Sequence, residues 1–491
     1  MLARMINIKN QGLGEKYLGA PIIFLRSKTQ THLSLLKSID NRINSWSNRF
    51  LSQAGRTSLV KAIDQAIPLY QMAAFLIPKN LCRKIDSHLC KYWWGESLDP
   101  NDKKIHLLAW DNICKPVSEG GLGIRKSEIN NIAMLARNAW RLLENPESLW
   151  GKTLKAKYFK NSDFLHANCP NSASWAWKCL HFVKEKIKPF ISWIVGDGKF
   201  IDPWCDRWIP DCNNEHPQPQ TPHDTNIKVA DFIDQTSRSW DRGNLQIHFD
   251  QSSIEKIVRI PLSSVSSSDR RAWDLTRDGR FISKSIYLTL RGVGNNQEDK
   301  LWKGIWKSKM PHRVQLFTWK CAKNALPVRD LLSQRININT NLCPRCQAEP
   351  KTITHALLTC TQIATLWSNS RMHCCTDPFV DKPISDWLRS WLAVDPYRSN
   401  VDKIEHFPLV ASLMWSIWMS RNILVFNNKI ETDIAIQNRA HRMLPKPKFQ
   451  KQGNNTTSQS QLTNHARLPP PAGWVKVNCD GAWDPVTKCG G

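Results

Sequence analysis

Four residues constrain this chain more than any other feature. Cys343 and Cys346 are separated by Pro-Arg, His355 follows, and Cys360 closes the set. Two thiolates on a tight Cys-x-x-Cys turn can hold one tetrahedral ion together, and a His and a Cys on a following turn complete its coordination. Four protein ligands leave no open position. The ion this spacing implies is therefore a structural Zn2+ that supplies folding energy, not a hydrolytic centre. Leu342, Leu357, Leu358, Leu366 and Trp367 can pack around it. The opposing reading is a set of unligated thiols beside a chance histidine.

The chain holds 15 cysteines in 491 residues, an odd number and too sparse for a disulfide framework. No apolar leader follows Met1. The expectation is reduced thiols in a nuclear or cytoplasmic protein, not a secreted one. Adjacent cysteines cannot easily face one ion, so Cys374 and Cys375, beside His373, read as packing thiols. Cys205 and Cys212 read the same way.

Lys plus Arg number 68 against 42 for Asp plus Glu, a net charge of +26. A surplus of this size points to a polyanion, because each neutralised phosphate releases counterions. The charge is unevenly placed. Residues 300–329 carry eight Lys/Arg and no acid, and residues 434–479 carry seven and no acid. Trp302, Trp306 and Trp319 are interleaved with the first run, a composition that suits single-stranded or backbone-tracking recognition. The candidate contacts are Lys303, Lys307, Lys309, Arg313, Lys320, Lys323, Arg329 and Arg335. Trp302 and Trp306 are four apart on one helical face and read as core. The other tryptophans of the 23 read mostly as amphipathic anchors of small helical layers.

The apolar pattern predicts a mainly α chain with short β segments, built as several modules. Leu36, Ile39, Ile43 and Trp46 step by three and four. Leu59, Ala62, Ile63, Ala66 and Ile67 do the same before Pro68 stops them, and Ile132, Leu135, Ala136, Ala139 and Trp140 repeat the pattern with Arg137 and Arg141 on the wet face. Gly120-Gly121-Leu122-Gly123 lacks a following Lys-Ser or Lys-Thr, which makes it a turn and not a phosphate loop. Asp278-Gly279 marks another turn. Residues 407–426 approach membrane-span length, but Pro408 opens the stretch and Arg421-Asn422 interrupts it, so a buried helix is expected and no membrane partner. No small-molecule substrate is evident.

These motifs together resemble the downstream part of plant non-LTR (LINE-type) retrotransposon polyproteins, over nearly the whole chain. Tyr17-Leu18-Gly19-Ala20-Pro21, Trp46, Leu51-Ser52-Gln53-Ala54-Gly55-Arg56, Ala109-Trp110 and residues 120–125 are similar to the region after the polymerase domain. Gly196-Asp197-Gly198, Trp204, Asp206 and Trp208 resemble the next block, and Gly279, Phe281, Ser285 and Tyr287 resemble a strand before the zinc module. Trp319, Leu326-Pro327, Leu331, Arg335, the four Cys/His residues and Trp367 resemble the reverse-transcriptase zinc-binding domain. Trp415, Trp418, Arg421-Asn422 and Phe426 resemble the helix after it. Residues 473–482 resemble the first strand of an α/β ribonuclease H-like fold, with Val475, Val477 and Cys479 alternating inward and Asp480 as first carboxylate.

The resemblance implies six segments. Residues 1–149 are a helical region and 150–295 a mixed connecting region. Residues 296–390 are the zinc-binding domain, 391–440 a Trp-rich helical region, 441–468 a basic polar linker and 469–491 a truncated ribonuclease H start. It also implies a nucleic-acid partner, RNA or DNA, single-stranded or hybrid. Ribonuclease H chemistry needs several carboxylates around two Mg2+ ions. Asp480 alone cannot supply them, so Mg2+ is expected only with a complete domain. The polymerase's paired Asp-Asp occurs nowhere in the chain. The expectation is a zinc-binding, nucleic-acid-binding fragment, inactive as given, whose ancestral role supported reverse transcription. The rival readings are an RNA–DNA hybrid ribonuclease and a host-adopted protein-interaction module.

Overall fold

The computed structural model describes residues 16–17, 20–21, 483–484, 489–490 and 24–444, except 46–50, 97–100, 161, 211–216, 218–226, 235, 263–266, 293–298, 339 and 393–399. The chain divides into two compact units, Met1–Pro445 and Lys446–Gly491. In the second, Trp483–Asp484 pairs antiparallel with Cys489–Gly490.

The first unit is mostly helical because its apolar residues recur on one face. In the helix Lys79–Trp94, Leu81, Ile85, Leu89 and Trp93 step by four and are all buried, and Gly95 ends it with φ of 86°. The helix Ser127–Glu144 buries Leu135, Ala136, Ala139 and Trp140 and leaves Arg137 and Arg141 exposed. The single helix expected up to Pro68 is broken in two. Gln53–Leu59 runs into a π-turn at Val60–Asp64, and Pro68 precedes a further helix, Leu69–Ala74. A proline lacks only a donor that the first turn of a helix leaves unpaired anyway, so it starts a helix as readily as it stops one.

Among the described residues, the buried ones form three clusters. One takes Ala133–Ile191 neighbours such as Leu135, Trp140 and Trp177, joined by Trp273 and Ile286. A second gathers Trp204, Trp208, Phe232 and Phe249. The antiparallel pair Ile191–Ile194 and Arg270–Trp273 serves both, with Ile191 and Trp273 in one cluster and Trp193 against the other. Past the Gly279 turn, Ser285 and Tyr287 lie on the helix Ser283–Leu290, not on the strand expected there. Ser285 Oγ accepts from the buried Trp273 indole at 2.7 Å, which docks that helix on the core.

The largest cluster joins residues far apart in sequence. It unites Leu81, Trp93 and Leu122 with Trp302, Trp319, Cys343, Cys360, Trp367 and Trp387, and with Val410, Met414 and Trp418. Trp93 and Trp319 meet edge to face at 6.4 Å, and the Trp319 indole donates to Gly120 O at 3.0 Å. The glycine-rich turn is thus a packing joint. A Cβ on Gly121 would fall 1.9 Å from Lys115 O, so only glycine fits there. Trp93, Trp177, Trp273, Trp319, Trp367 and Trp387 are among the largest fully buried side chains. These tryptophans are core, more than the amphipathic anchors their polar sequence neighbours suggest.

The helix Asn400–Asn427 starts before Pro408 and carries it inside. Its part His406–Asn427 is long and apolar enough to cross a membrane by length and composition. Phe407, Val410, Ala411, Met414 and Ile417 are all buried within the fold.

Candidate metal centre and its surroundings

Residues 341–351 form a small knuckle. Leu342 bridges Pro350, Cys343 N donates to Glu349 O at 2.8 Å, and Lys351 N donates to Asn341 O at 2.8 Å. Gln347 takes φ of 54° and donates its N–H to Cys343 O at 2.9 Å, turning the chain back after Cys346. This presents the two thiols on one side.

The other pair comes from a π-turn, His355–Thr359, which runs directly into the helix Thr361–Ser368. Five residues along an ordinary α-helix turn a side chain about 140° away. Here Cys360 N donates to His355 O at 3.0 Å, the wider π repeat, and the two side chains face the same way. The Trp367 indole donates to Leu357 O at 2.9 Å and stacks edge-on against Trp387, fixing the turn from behind.

The four ligand atoms lie within 4.8 Å of one another. Cys343 Sγ and Cys360 Sγ are 4.0 Å apart, and Cys346 Sγ and His355 Nε2 are 3.3 Å apart. Tetrahedral zinc separates two sulfurs by about 3.8 Å and a sulfur from a nitrogen by about 3.6 Å. The residues therefore fit Zn2+ in number, chemistry and spacing. His355 turns its other nitrogen, Nδ1, to Glu349 Oε2 at 3.1 Å, close enough for an ion pair although off the hydrogen-bond angle. That is the carboxylate that commonly orients a metal-binding imidazole. The hydrogen bond shared with Cys360 holds the Cys343 thiol well below its ordinary value and pushes Cys360 up. Hydrogen bonds to Cys343 and then Cys346 raise His355 to about 9. The cluster has the chemistry of a site that trades protons for a cation.

Buried cations stand around these thiols. Lys351 is 1% exposed, and its Nζ has no hydrogen-bond partner. Burial and then the Arg421 charge push its ammonium down to about 7. Arg421 is 6% exposed, lies 4.9 Å over the Trp418 ring, and is brought down to about 10 by burial and by Arg329. Arg345 donates to Ser420 Oγ at 3.0 Å. Glu349, Arg345 and Lys351 were not singled out from sequence. Arg421 did carry a signal, as a charge inside an apolar run.

The other expected site residues are scattered. Lys303, Lys307, Lys309, Arg313 and Arg335 are exposed. Lys303 and Lys307 line one cleft with Arg125 and Lys284, walled by Trp306 and Tyr287. Lys320 is half-buried, and burial lowers its ammonium to about 8. Lys323 is also half-buried, with Nζ 4.4 Å above the Trp302 ring. Arg329 donates to Leu342 O at 2.9 Å and Arg335 to His106 O at 2.6 Å. Asp480 lies outside the described residues. Of the thiols read as packing groups, Cys374 does pack against the large core, whereas Cys375 and Cys205 are exposed, and Cys212 lies outside the described residues.

Residues 281–367 match the family described as zinc-binding in reverse transcriptase. All four cluster residues fall inside that span, so this part of the chain is a zinc-binding region of the reverse-transcriptase type. Two proteins of Arabidopsis thaliana are similar over longer or denser stretches. One, named "Putative ribonuclease H protein", is 27% identical over 482 residues, which is 94% of this chain and 75% of that protein. The other, an uncharacterized mitochondrial protein, is 33% identical over 147 residues, covering 30% of this chain and 94% of that protein. The chain belongs to the family that includes this mitochondrial protein.

Proposed function

We propose that this chain is a nucleic-acid-binding part of a plant non-LTR retrotransposon polyprotein, in which Cys343, Cys346, His355 and Cys360 hold one structural Zn2+. The observation that carries this reading is the convergence of those four ligand atoms within 4.8 Å, inside a reverse-transcriptase-type region of a chain with net charge +26. The ion's role is to close the knuckle against the π-turn. With four protein ligands it offers no position for substrate. In this reading the ancestral work of the chain is to hold nucleic acid during reverse transcription, and Lys303 and Lys307, exposed on a cationic cleft, are contacts for it. Fluorescence anisotropy of the full chain with labelled single-stranded RNA tests the binding. Absence of binding at low salt would remove the reading.

Glu349, 3.1 Å from His355 Nδ1, is expected to orient the imidazole toward the metal. Glu349→Gln is expected to weaken Zn2+ binding by about 10- to 100-fold, measured by competition with a chromophoric chelator. Unchanged affinity would mean that Glu349 does not orient the imidazole.

A second reading, an RNA–DNA hybrid ribonuclease, is favoured by the name of one relative and by the motif at residues 473–482 that contains Asp480. Two-metal hydrolysis needs several carboxylates around the scissile phosphate. The expected result is therefore no cleavage of a hybrid by these 491 residues with Mg2+. Cleavage that disappears in Asp480→Asn would establish the ribonuclease instead.

A further inference from the structure

The fold opens a second cleft between the segment that follows Leu326 and the C-terminal half of the helix Asn400–Asn427. Arg329, Thr340, Arg421, Asn422 and Phe426 are among the residues that line it, and none of its described lining residues is acidic. Arg421 spends one N–H on Asn422 Oδ1 at 2.9 Å, while its buried Nε has no partner. Arg329 spends one on Leu342 O. Lys351, whose backbone O accepts from Asp330 N at 3.3 Å, is fully buried and its Nζ has no hydrogen-bond partner.

Arg329 and Arg421 thus share one cleft, and Arg421 and Lys351 are both buried with a nitrogen left unpartnered. Like charges gathered out of water are costly unless an anion joins them. No carboxylate among the described lining residues neutralises the two guanidiniums. The donors there are guanidinium forks, whose geometry suits phosphate oxygens. Phe426 is 77% exposed at the rim, an aromatic surface on which a base can stack.

We propose that this cleft is a phosphodiester-binding site for a single nucleic-acid strand, with Arg329 and Arg421 on the phosphate, Lys351 behind them and Phe426 against the adjoining base. This rests on the nucleic-acid reading above and gives it a place on the molecule distinct from the Lys303–Lys307 cleft.

The test uses the full chain, labelled single-stranded RNA and a salt series, with bound zinc measured for every variant. Arg329→Gln should weaken binding about five-fold at 0.1 M salt and make the log–log salt slope shallower by about 0.7, the value of one single-strand phosphate contact. Phe426→Glu places a carboxylate at an exposed position that the fold does not depend on. It should weaken binding at least as much while zinc stays at the wild-type level, and it carries the test if Arg329→Gln disturbs the metal. Wild-type affinity and slope in Phe426→Glu, while the parent chain binds RNA, would overturn the cleft and leave the nucleic-acid reading standing. No binding by the parent chain would sink that reading and the cleft with it. Calorimetry with inorganic phosphate alone is expected to show no saturation below millimolar concentration. A sub-millimolar phosphate site lost in Arg329→Gln, with RNA affinity unmoved in both variants, would assign the cleft to free phosphate and overturn the strand.

Discussion

Removing the metal is expected to unfold far more than the knuckle. Cys343 and Cys360 are 1% and 0% exposed and belong to the same buried cluster as Trp93, Trp319, Trp367 and Trp387. Without an ion, three thiols and an imidazole must share protons there, and hydrogen bonds among themselves and from nearby backbone N–H groups offset the burial only in part. A structural zinc contributes about 10–16 kcal/mol in isolated zinc-finger peptides. Only part of that should appear here, because helices such as Lys79–Trp94 contribute core of their own to the cluster. The expected result is one Zn2+ per chain by native mass spectrometry. With chelator, the thermal midpoint should fall by at least about 10 °C, alongside a change in near-ultraviolet circular dichroism from the tryptophan core. Cys343→Ser combined with Cys360→Ser should reproduce both effects. His355→Cys should retain the metal, since four thiolates also suit zinc, whereas His355→Ala should lose it. A chain without bound metal, or a double serine variant with wild-type zinc and midpoint, would refute the site.

The four Cys/His residues were legible in the sequence because their geometry is set locally. A Cys-x-x-Cys turn and a nearby His and Cys leave few ways to arrange four side chains. The π-turn that aligns His355 with Cys360 was not legible. It depends on Trp367 and Trp387 packing behind it, and the sequence of residues 355–359 reads as an ordinary helical start. The helices were legible for the reason that Leu81, Ile85, Leu89 and Trp93 illustrate: a strict period needs no knowledge of what the face meets. What it meets was hidden. Nothing local to Gly120 says that Trp319, 199 residues on, will donate to its carbonyl. For the same reason, the sharing of one core by residues 35–124 and 301–440 could not be read from composition along the chain.

The acid-free run 300–329 shows the same limit in the opposite direction. Composition located the charge but not its exposure. The helix Lys300–Lys307 puts Leu301, Trp302 and Ile305 inward and Lys303 and Lys307 outward, as its period requires. Lys320 and Lys323, with the same sequence character, are drawn half inside by the packing of the helix His312–Ala322. Meanwhile Lys351 and Arg421, outside the run, are gathered beside the thiols. The positive charge that matters for a ligand is set by burial, which the sequence distributes only through tertiary contacts.

Nucleic-acid binding by the full chain is expected to collapse with salt. Lys303 and Lys307 with Arg125 and Lys284 on one cleft, and Arg329 with Arg421 on the other, offer six cations for a strand to neutralise. If four to six phosphates are engaged at once, the slope of log K against log salt should lie near −3 to −4, at about −0.7 for each single-strand phosphate. Between 50 and 200 mM salt that predicts a loss of roughly 50- to 300-fold in affinity. Lys303→Gln with Lys307→Gln should remove about 1.4 from the slope and leave the zinc content unchanged. Sequence preference should be weak, because contacts to phosphates carry no base information. These contributions should add, because the two clefts share no described lining residue, so combining the Lys303/Lys307 pair with Phe426→Glu should multiply their separate losses. An affinity unmoved by salt over that range would mean that the +26 charge is not what holds the strand, and a sub-multiplicative combination would mean that the two clefts do not bind one continuous ligand.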